Sequence, residues 1–390
     1  MQKNKFVNPD LKHRASVLVY KVDSFDNDVL KNDVLKAYPD SIILVFNRKG
    51  IFTDFSPPKF GLKRPFLGFL GPRIHFLRPF LSPMALFIDH VRIFSFLLWL
   101  SILYRPRVFI IENTFVAALA GILRRIGLAG YMIYIPGDWL AGGQVRKGFS
   151  SRLFSNVAFP LFDYLACRLA DLTLNCTQAI SEARRKFWGR KIAPESLFQN
   201  RLEIKAKSWE NNKLRQNIAF LGSIRPESGL EIALKALQMI RKEIDAKLKF
   251  IGVDETAFNN LKRQAAEWGV DGFLTREGFV ERQQLAEVLK DCFCGINLIT
   301  IPATYTSRTL PAKVIDYLQY LLPVIATSHI GEIAQVIRDK GIGLIIEPEP
   351  DSFINAVRDI YSHQDAYREK IRTYILDSAK TAKTIIDFIP

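Results

Sequence analysis

Residues 308–327, RTLPAKVIDYLQYLLPVIAT, read in succession as a loop, a helix and a buried strand. Val314, Ile315, Leu318 and Leu322 recur at helical spacing, and Asp316 falls on a different face. Thr309 is placed to cap the helix, with Pro311 just inside it, where a missing N–H costs nothing. Pro323 ends the helix, and Val324, Ile325 and Ala326 open a strand. A helix N-terminus with Lys313 in its first turn suits a phosphate. Asp316, about a turn further in, is placed to accept from a sugar hydroxyl. Taken alone, the stretch also reads as an ordinary αβ unit with Lys313 and Asp316 as surface charges. Its surroundings decide between the two.

Outward from it, the second half repeats one rhythm. Residues 217–221 (NIAFL), 247–251 (KLKFI), 272–276, 292–299 and 343–347 read as strands. Residues 230–244, 259–268, 351–361 and 364–378 read as helices. The first half does the same. Strands are expected at 16–20 (SVLVY), 41–46 (SIILVF), 107–112 (RVFIIE), 131–135 (YMIYI) and 172–176 (LTLNC). Helices are expected at 26–38, 91–104, 114–126, 154–170 and 178–188. Residues 192–207 read as a linker. Alternating strands and helices predict an α/β protein with two doubly wound parallel sheets. The boundary falls near Lys205, giving domains 1–205 and 206–390, with the last helix expected to pack back on the first. In such sheets ligands lie beyond the carboxyl ends of the strands. Asp138 and Trp139 follow one such end, placed to position an acceptor hydroxyl and to pack on a sugar ring; a turn aspartate is the plainer reading.

The 390 residues carry 54 Lys and Arg against 39 Asp and Glu. Residues 1–205 hold 30 of those bases and 15 of those acids, so the remainder is balanced and the excess lies in the first half. Within it, residues 56–90 mix Lys59, Lys63, Arg64, Arg73 and Arg78 with five phenylalanines between Phe60 and Phe80. No acid separates Asp54 from Asp89. Exposed, such a stretch would bind anionic headgroups and wedge into an interface. Buried, its phenylalanines would simply cover a core. Nucleic acid is not expected, because RNA-binding aromatics alternate along strands and this stretch is not strand-like. The first half lacks a G-x-G-x-x-G fingerprint, which argues against a nicotinamide or flavin. Cys167, Cys176, Cys292 and Cys294 form no disulfide framework and have no zinc-like company. The start, MQKNKFVNPDLKHR, has no apolar core, so no signal peptide is expected. The longest apolar run, residues 93–103, is too short to span a bilayer. A cytoplasmic location, peripheral on the inner membrane face, is expected.

The successive segments FLGSIRPESGLEIALKAL (220–237), KLKFIG (247–252), LKRQAAEWGV (261–270), FLTREGFVERQQLAEVLKDCFCGINL (273–298) and PAKVIDYLQYLLPVIAT (311–327) carry a resemblance. In this order they resemble the donor domain of GT-B glycosyltransferases. The resemblance is to the large retaining family (glycosyltransferase family 4 type) that builds lipopolysaccharide, capsule and glycolipids. It covers residues 217–361; the first half is similar only in rhythm and basic character. The resemblance implies a GT-B architecture of two Rossmann-like domains and a nucleotide-sugar donor, UDP- or GDP-linked. Gly222 and Ser223 would lie against the donor diphosphate. Residues 277–280, with Phe279 and Val280, would meet the base. The N–H groups of Thr309 and Leu310 would meet a phosphate oxygen, and Asp316 would hold the ribose.

Three departures from the family pattern stand out. Ser223 replaces an arginine, Ser228 a lysine, and Arg308 a carboxylate. Arg225 and Arg308 are available to replace the lost positive charge, since guanidinium suits phosphate. A retaining glycosyl transfer to a glycan or lipid-linked acceptor in cell-envelope synthesis is therefore expected, with Asp138, Arg225 and Lys313 at the reaction centre. No Asp-x-Asp stands in the second half, so neither metal nor cofactor is required. The rival readings are a degenerate, non-catalytic partner of an envelope-glycan complex and a nucleotide-sugar epimerase on the same plan. The epimerase would want cleft-facing acids and histidines, of which only His329 stands at a strand end. Changing Lys63, Arg64, Arg73 and Arg78 together to Ser is expected to weaken flotation with anionic liposomes. A folded variant that floats like the wild type would remove lipid contact from residues 56–90.

Overall fold

The computed structural model describes residues 17–22, 28–47, 50–55, 67–68, 82–137, 154–189, 192–198, 202–205, 215–281, 284–300 and 308–390. The chain divides into two compact units, residues 1–200 with 383–390, and residues 201–382.

The first unit is built on β1 (Val17–Val22), α1 (Asp28–Ala37), β2 (Ile42–Asn47), β3 (Gly50–Phe55), β4 (Leu67–Gly68), α2 (Ser82–Tyr104), β5 (Val108–Ile111), α3 (Thr114–Arg125), β6 (Tyr131–Tyr134), α4 (Phe159–Leu169), β7 (Leu172–Asn175), α5 (Gln178–Trp188) and β8 (Glu195–Leu197). Its sheet has the order β4-β3-β2-β1-β5-β6-β7-β8. From β2 through β1 to β8 the strands are parallel. Strands β5, β6 and β7 and the described side chains of β1 and β2 are largely buried on both faces, as parallel strands covered by helices must be. Two apolar clusters fill those faces, one around Phe109, Met132 and Tyr134, the other around Val19, Ile110 and Ile133.

The doubly wound parallel core is as expected, and two edge strands are added to it: β3 runs antiparallel to β2 and β4 antiparallel to β3. Only two residues separate β2 from β3, too few for a parallel crossover. The expected linker also contains β8, which pairs with β7 through Thr173↔Glu195 to Asn175↔Leu197. Polar Glu195 and Ser196 hid that strand from any reading of apolar alternation.

Helix α3 is capped by Asn113, whose Oδ1 accepts from Phe115 N–H at 3.0 Å and Val116 N–H at 3.1 Å. That side chain satisfies two of the donors a helix start leaves unpaired. Its small residues then let α4 approach: a Cβ on Gly121 would stand 2.5 Å from Leu169 Cβ.

A polar network lies beneath the carboxyl ends of β6 and β7. Asp163 and Arg184 are an ion pair at 3.0 Å with no exposed side-chain surface. Tyr134 donates to Asp163 at 3.0 Å and Trp188 Nε1–H at 3.1 Å. Arg184 also donates to Asn175 Oδ1 at 2.6 Å, and Asn175 to Glu195 at 2.7 Å. Burial, then the Asp163 charge, holds the Tyr134 phenol well above its usual range.

The second unit comprises β9 (Asn217–Leu221), α6 (Leu230–Ile240), β10 (Leu248–Ile251), α7 (Glu255–Glu267), β11 (Leu274–Glu277), α8 (Leu285–Leu289), β12 (Cys292–Asn297), α9 (Ala312–Gln319), β13 (Val324–Thr327), α10 (Ile333–Lys340), β14 (Gly343–Ile346), α11 (Pro350–Ser362) and α12 (Gln364–Thr381). Its sheet is parallel throughout, in the order β11-β10-β9-β12-β13-β14. Cores cover both faces, one centred on Phe220, Phe250 and Phe293, the other on Tyr317, Val324 and Ile337. Cys292 and Cys294 are buried strand residues whose thiols burial pushes well up. After α12 the chain re-enters the first unit, where Ile385 is buried and Phe388 meets Phe198 edge-on at 5.9 Å.

Asp163→Ala would strand the buried Arg184 charge. It is expected to cost about 3–5 kcal/mol, read as a lower urea midpoint, whereas exposed Glu255→Ala should move the midpoint little.

Candidate functional site

In the second sheet the chain builds β9, β10 and β11 toward one edge, then returns to build β12, β13 and β14 toward the other. The winding therefore reverses between β9 and β12. In parallel sheets such a reversal is the place where ligands bind, beyond the carboxyl ends of the strands. Most of the residues singled out from the sequence stand around this point.

Beyond β9, Gly222 takes φ +91, a left-handed conformation that favours glycine, and a Cβ there would meet nothing within 4 Å. Gly222 N–H bonds to Ile251 O at 2.9 Å, and Gly252 N–H to Gly278 O at 3.0 Å. The loops after β9, β10 and β11 are thereby tied backbone to backbone. Ser223 and Arg225 are exposed, the Arg225 side chain by 55%. Its guanidinium lies 4.0 Å from Glu227. Ser228 is buried, and its hydroxyl accepts from Arg225 N–H at 3.0 Å. This serine thus shapes the loop and supplies no charge. Gly229, at φ +60, has Leu298 O only 2.4 Å from where a Cβ would be. Thr300 N–H donates to Glu227 O at 3.1 Å. The phosphate-loop candidate is in this way fastened to the chain leaving β12.

Helix α9 begins at Ala312, so Thr309 is not its cap as expected. Pro311 is itself the N-cap, at φ −65 and ψ 116, and no side chain caps the helix. Thr309 is buried ahead of the cap, and Leu310 packs partly against the core. The helix also stops at Gln319, so Leu322 lies past its end, though fully buried. Half-buried Lys313 stands in the first turn, with its Nζ 4.6 Å from the centre of the Phe220 ring. Desolvation, then repulsion from Arg225, depresses its pKa to about 8, with Glu227 opposing. Lys313 and Arg225 thus share one electrostatic neighbourhood. Asp316 is half-buried about a turn on, and Arg308 is half-buried before the helix.

Phe279 is 92% exposed just after β11, while Val280 packs partly against the core. Gly278, beside them, is bonded to Gly252, whose own Cβ would fall 3.8 Å from Gly222 N. The structure therefore brings Gly222, Ser223, Arg225, Lys313 and the Gly278–Phe279 turn to one edge. Asp138 and Trp139 lie outside the described residues, as do most of residues 56–81. Among the described residues no three His, Cys, Asp or Glu side chains are grouped to hold a metal ion, and no helix is long and apolar enough to cross a membrane.

Tyr317 was not singled out by sequence reasoning. It is fully buried, and its hydroxyl accepts from Leu221 N–H at 2.8 Å, next to Gly222. The available signal was Gly295 inside the apolar strand CFCGIN, since a glycine within a strand marks a close approach.

Residues 202–376 match the family model described as glycosyl transferases group 1. No curated protein sequence matches the chain. Among solved structures, HepE (Alr3699) from Anabaena, determined with UDP, is 13% identical, with a TM-score of 0.63 over 96% of this chain and 97% of that one. Sucrose-phosphate synthase from Thermosynechococcus elongatus is 14% identical, with a TM-score of 0.62 over 94% and 98%. WaaB, a lipopolysaccharide outer core galactosyltransferase, is 14% identical, with a TM-score of 0.56 over 93% and 99%. HepE was also determined with UDP and glucose together. The second unit is thus similar to group 1 glycosyl transferase domains, and the two units have the GT-B fold.

The depressed Lys313 pKa has a signed consequence. Because the folded value lies below the usual 10.5, the charged lysine burdens the folded state below about pH 8, and that burden fades as pH rises toward the unfolded value. Lys313→Met is therefore expected to be more stable than wild type at pH 7. Urea midpoints of the two should converge as pH is raised to 10. A gap that stays constant would mean that Lys313 is not desolvated.

Proposed function

We propose that this protein is a glycosyltransferase that moves a sugar, with retention, from a UDP- or GDP-linked donor to a glycan or lipid-linked acceptor of the cell envelope. The observation that carries this reading is the pairing of Lys313 and Arg225 at the winding reversal of a sheet that matches group 1 glycosyl transferases.

Bond cleavage at the donor's anomeric carbon leaves a nucleoside diphosphate, and its growing charge must be met in the transition state. Gly222 offers the diphosphate a backbone without a side chain. The start of α9 offers N–H groups and Lys313, and the next loop offers Arg225. Thr309 and Leu310 N–H groups and the Arg308 guanidinium stand just ahead. Lys313 remains protonated at neutral pH despite its low pKa, and an adjacent dianion would raise that pKa further. Ser223 lines the same loop. Asp316 holds the ribose hydroxyls, and exposed Phe279, with Val280, forms an apolar edge for the base. Asp138 orients the acceptor hydroxyl, whose proton passes to the departing phosphate.

The UDP found in HepE supports a nucleotide donor, and the lipopolysaccharide activity printed for WaaB supports an envelope acceptor. The basic excess of residues 1–205 suits an acceptor held at an anionic membrane surface on the cytoplasmic side. One observation favours a second reading, a non-catalytic partner built on the same fold: Ser228 is tied up in the loop and brings no charge to a place where the family has a lysine.

Calorimetric titration with UDP and GDP separates these readings. One of the two is expected to bind. Lys313→Ala and Asp316→Ala should each weaken it about tenfold to a hundredfold, the worth of one hydrogen bond to a charged group. Binding of neither by the folded wild type would favour the non-catalytic partner.

A further inference from the structure

The paired register of β9 and β12 is Cys292↔Asn217, Cys294↔Ile218 and Gly295↔Ala219, and it ends there. Both strands nevertheless continue, to Leu221 and Asn297. In a regular parallel ladder with this register, Leu221 N–H and Ile296 C=O would be close enough to bond directly. A side chain stands between them instead. Leu221 N–H donates to the Tyr317 hydroxyl at 2.8 Å. That hydroxyl lies 3.1 Å from Ala219 O and 3.3 Å from Ile296 O, and donates its single proton toward this pair.

The ring reaches this place only because residue 295 is a glycine. A Cβ on Gly295 would come within 2.3–2.5 Å of three Tyr317 ring atoms. Tyr317 itself has no exposed surface. It sits on α9 directly after Asp316 and one turn after Lys313, while the amide it holds belongs to the residue before Gly222. One phenol therefore links the helix that carries the candidate nucleotide-binding groups to the loop that would take the phosphates.

We propose that Tyr317 is a positioning residue of the donor site. Its hydroxyl stands in the last rung between β9 and β12, holds the crevice open, and sets Lys313 and Asp316 at a fixed distance from Gly222. It touches no substrate. This role rests on the reading of that crevice as a nucleoside-diphosphate site, whereas the place of the hydroxyl does not.

Two measurements on the full chain keep these apart. The first is amide hydrogen exchange without nucleotide. In the wild type the Leu221 amide is expected to exchange slowly, although it lies past the last paired residues. In Tyr317→Phe, which keeps the ring and its packing, exchange over residues 221–223 should speed up about tenfold or more, as a buried amide without an acceptor does. Exchange in β13 should be unchanged. A fast Leu221 amide in the wild type, or unchanged exchange in Tyr317→Phe, overturns the proposal. A fast wild-type amide overturns the proposal even if the variant fails to fold.

The second measurement is calorimetry with UDP, UMP, GDP and GMP. Tyr317→Phe is expected to shrink the preference for diphosphate over monophosphate by about tenfold, because only the diphosphate spans both α9 and the Gly222 loop. Faster exchange with an unchanged preference would make Tyr317 a scaffold residue and overturn the positioning role. If the wild type binds none of the four, the sugar-transfer reading fails, while the exchange result still decides where the hydroxyl stands.

Discussion

A parallel sheet that winds first toward one edge and then toward the other must leave one pair of neighbouring strand ends without a helix passing between them. In the second unit that pair is β9 and β12, and the features of the candidate site are consequences of how the gap is kept. Gly229 must lack a side chain because the loop after β9 presses on Leu298. Gly295 must lack one because Tyr317 occupies its space. The loop can then turn at Gly222 and expose Arg225 on the side from which α9 presents Lys313. If the two strands paired to their ends, the helix and the loop would close on one another.

The charge pattern follows from the same geometry. The Phe220 ring attracts the Lys313 ammonium group, but burial and the neighbouring Arg225 outweigh it and disfavour the charged form. A desolvated lysine beside an arginine that Glu227 only partly offsets gains when a polyanion enters, since the ligand then adds counter-charge. The first unit treats its buried charge in the opposite manner. Asp163 and Arg184 are fully enclosed and satisfied by Tyr134, Trp188 and Asn175, leaving no demand for an outside partner.

Most of the architecture was legible because buried parallel strands announce themselves. NIAFL, CFCGIN and VIAT are continuous apolar runs bounded by turns, and the helices between them repeat every three to four residues. The parts that were not legible each lacked that signal. Strand β8 is held by Glu195 side-chain bonds rather than by apolar burial, and β4 is two residues long. The start of α9 was misread because proline has the same φ at the N-cap as in the first turn. Ser228 looked like a missing charge, whereas its hydroxyl closes the loop on Arg225. Lys313, Asp316 and Gly222 could be picked out because their types and spacing suit phosphate and sugar. Tyr317 could not, since a buried tyrosine in an apolar helix face looks like any other core residue. Its role depends on a glycine twenty-two positions away.

The return of the chain after α12 bears on how the molecule is made. Residues 383–390 belong to the first unit, where Ile385 is buried beside Leu30 of α1. The second unit is a continuous segment lying wholly within the first. During synthesis the second unit therefore has its entire sequence available before the first unit does. The part of the first unit that precedes residue 201 has to wait, with a patch of its core uncovered, until residues 383–390 emerge.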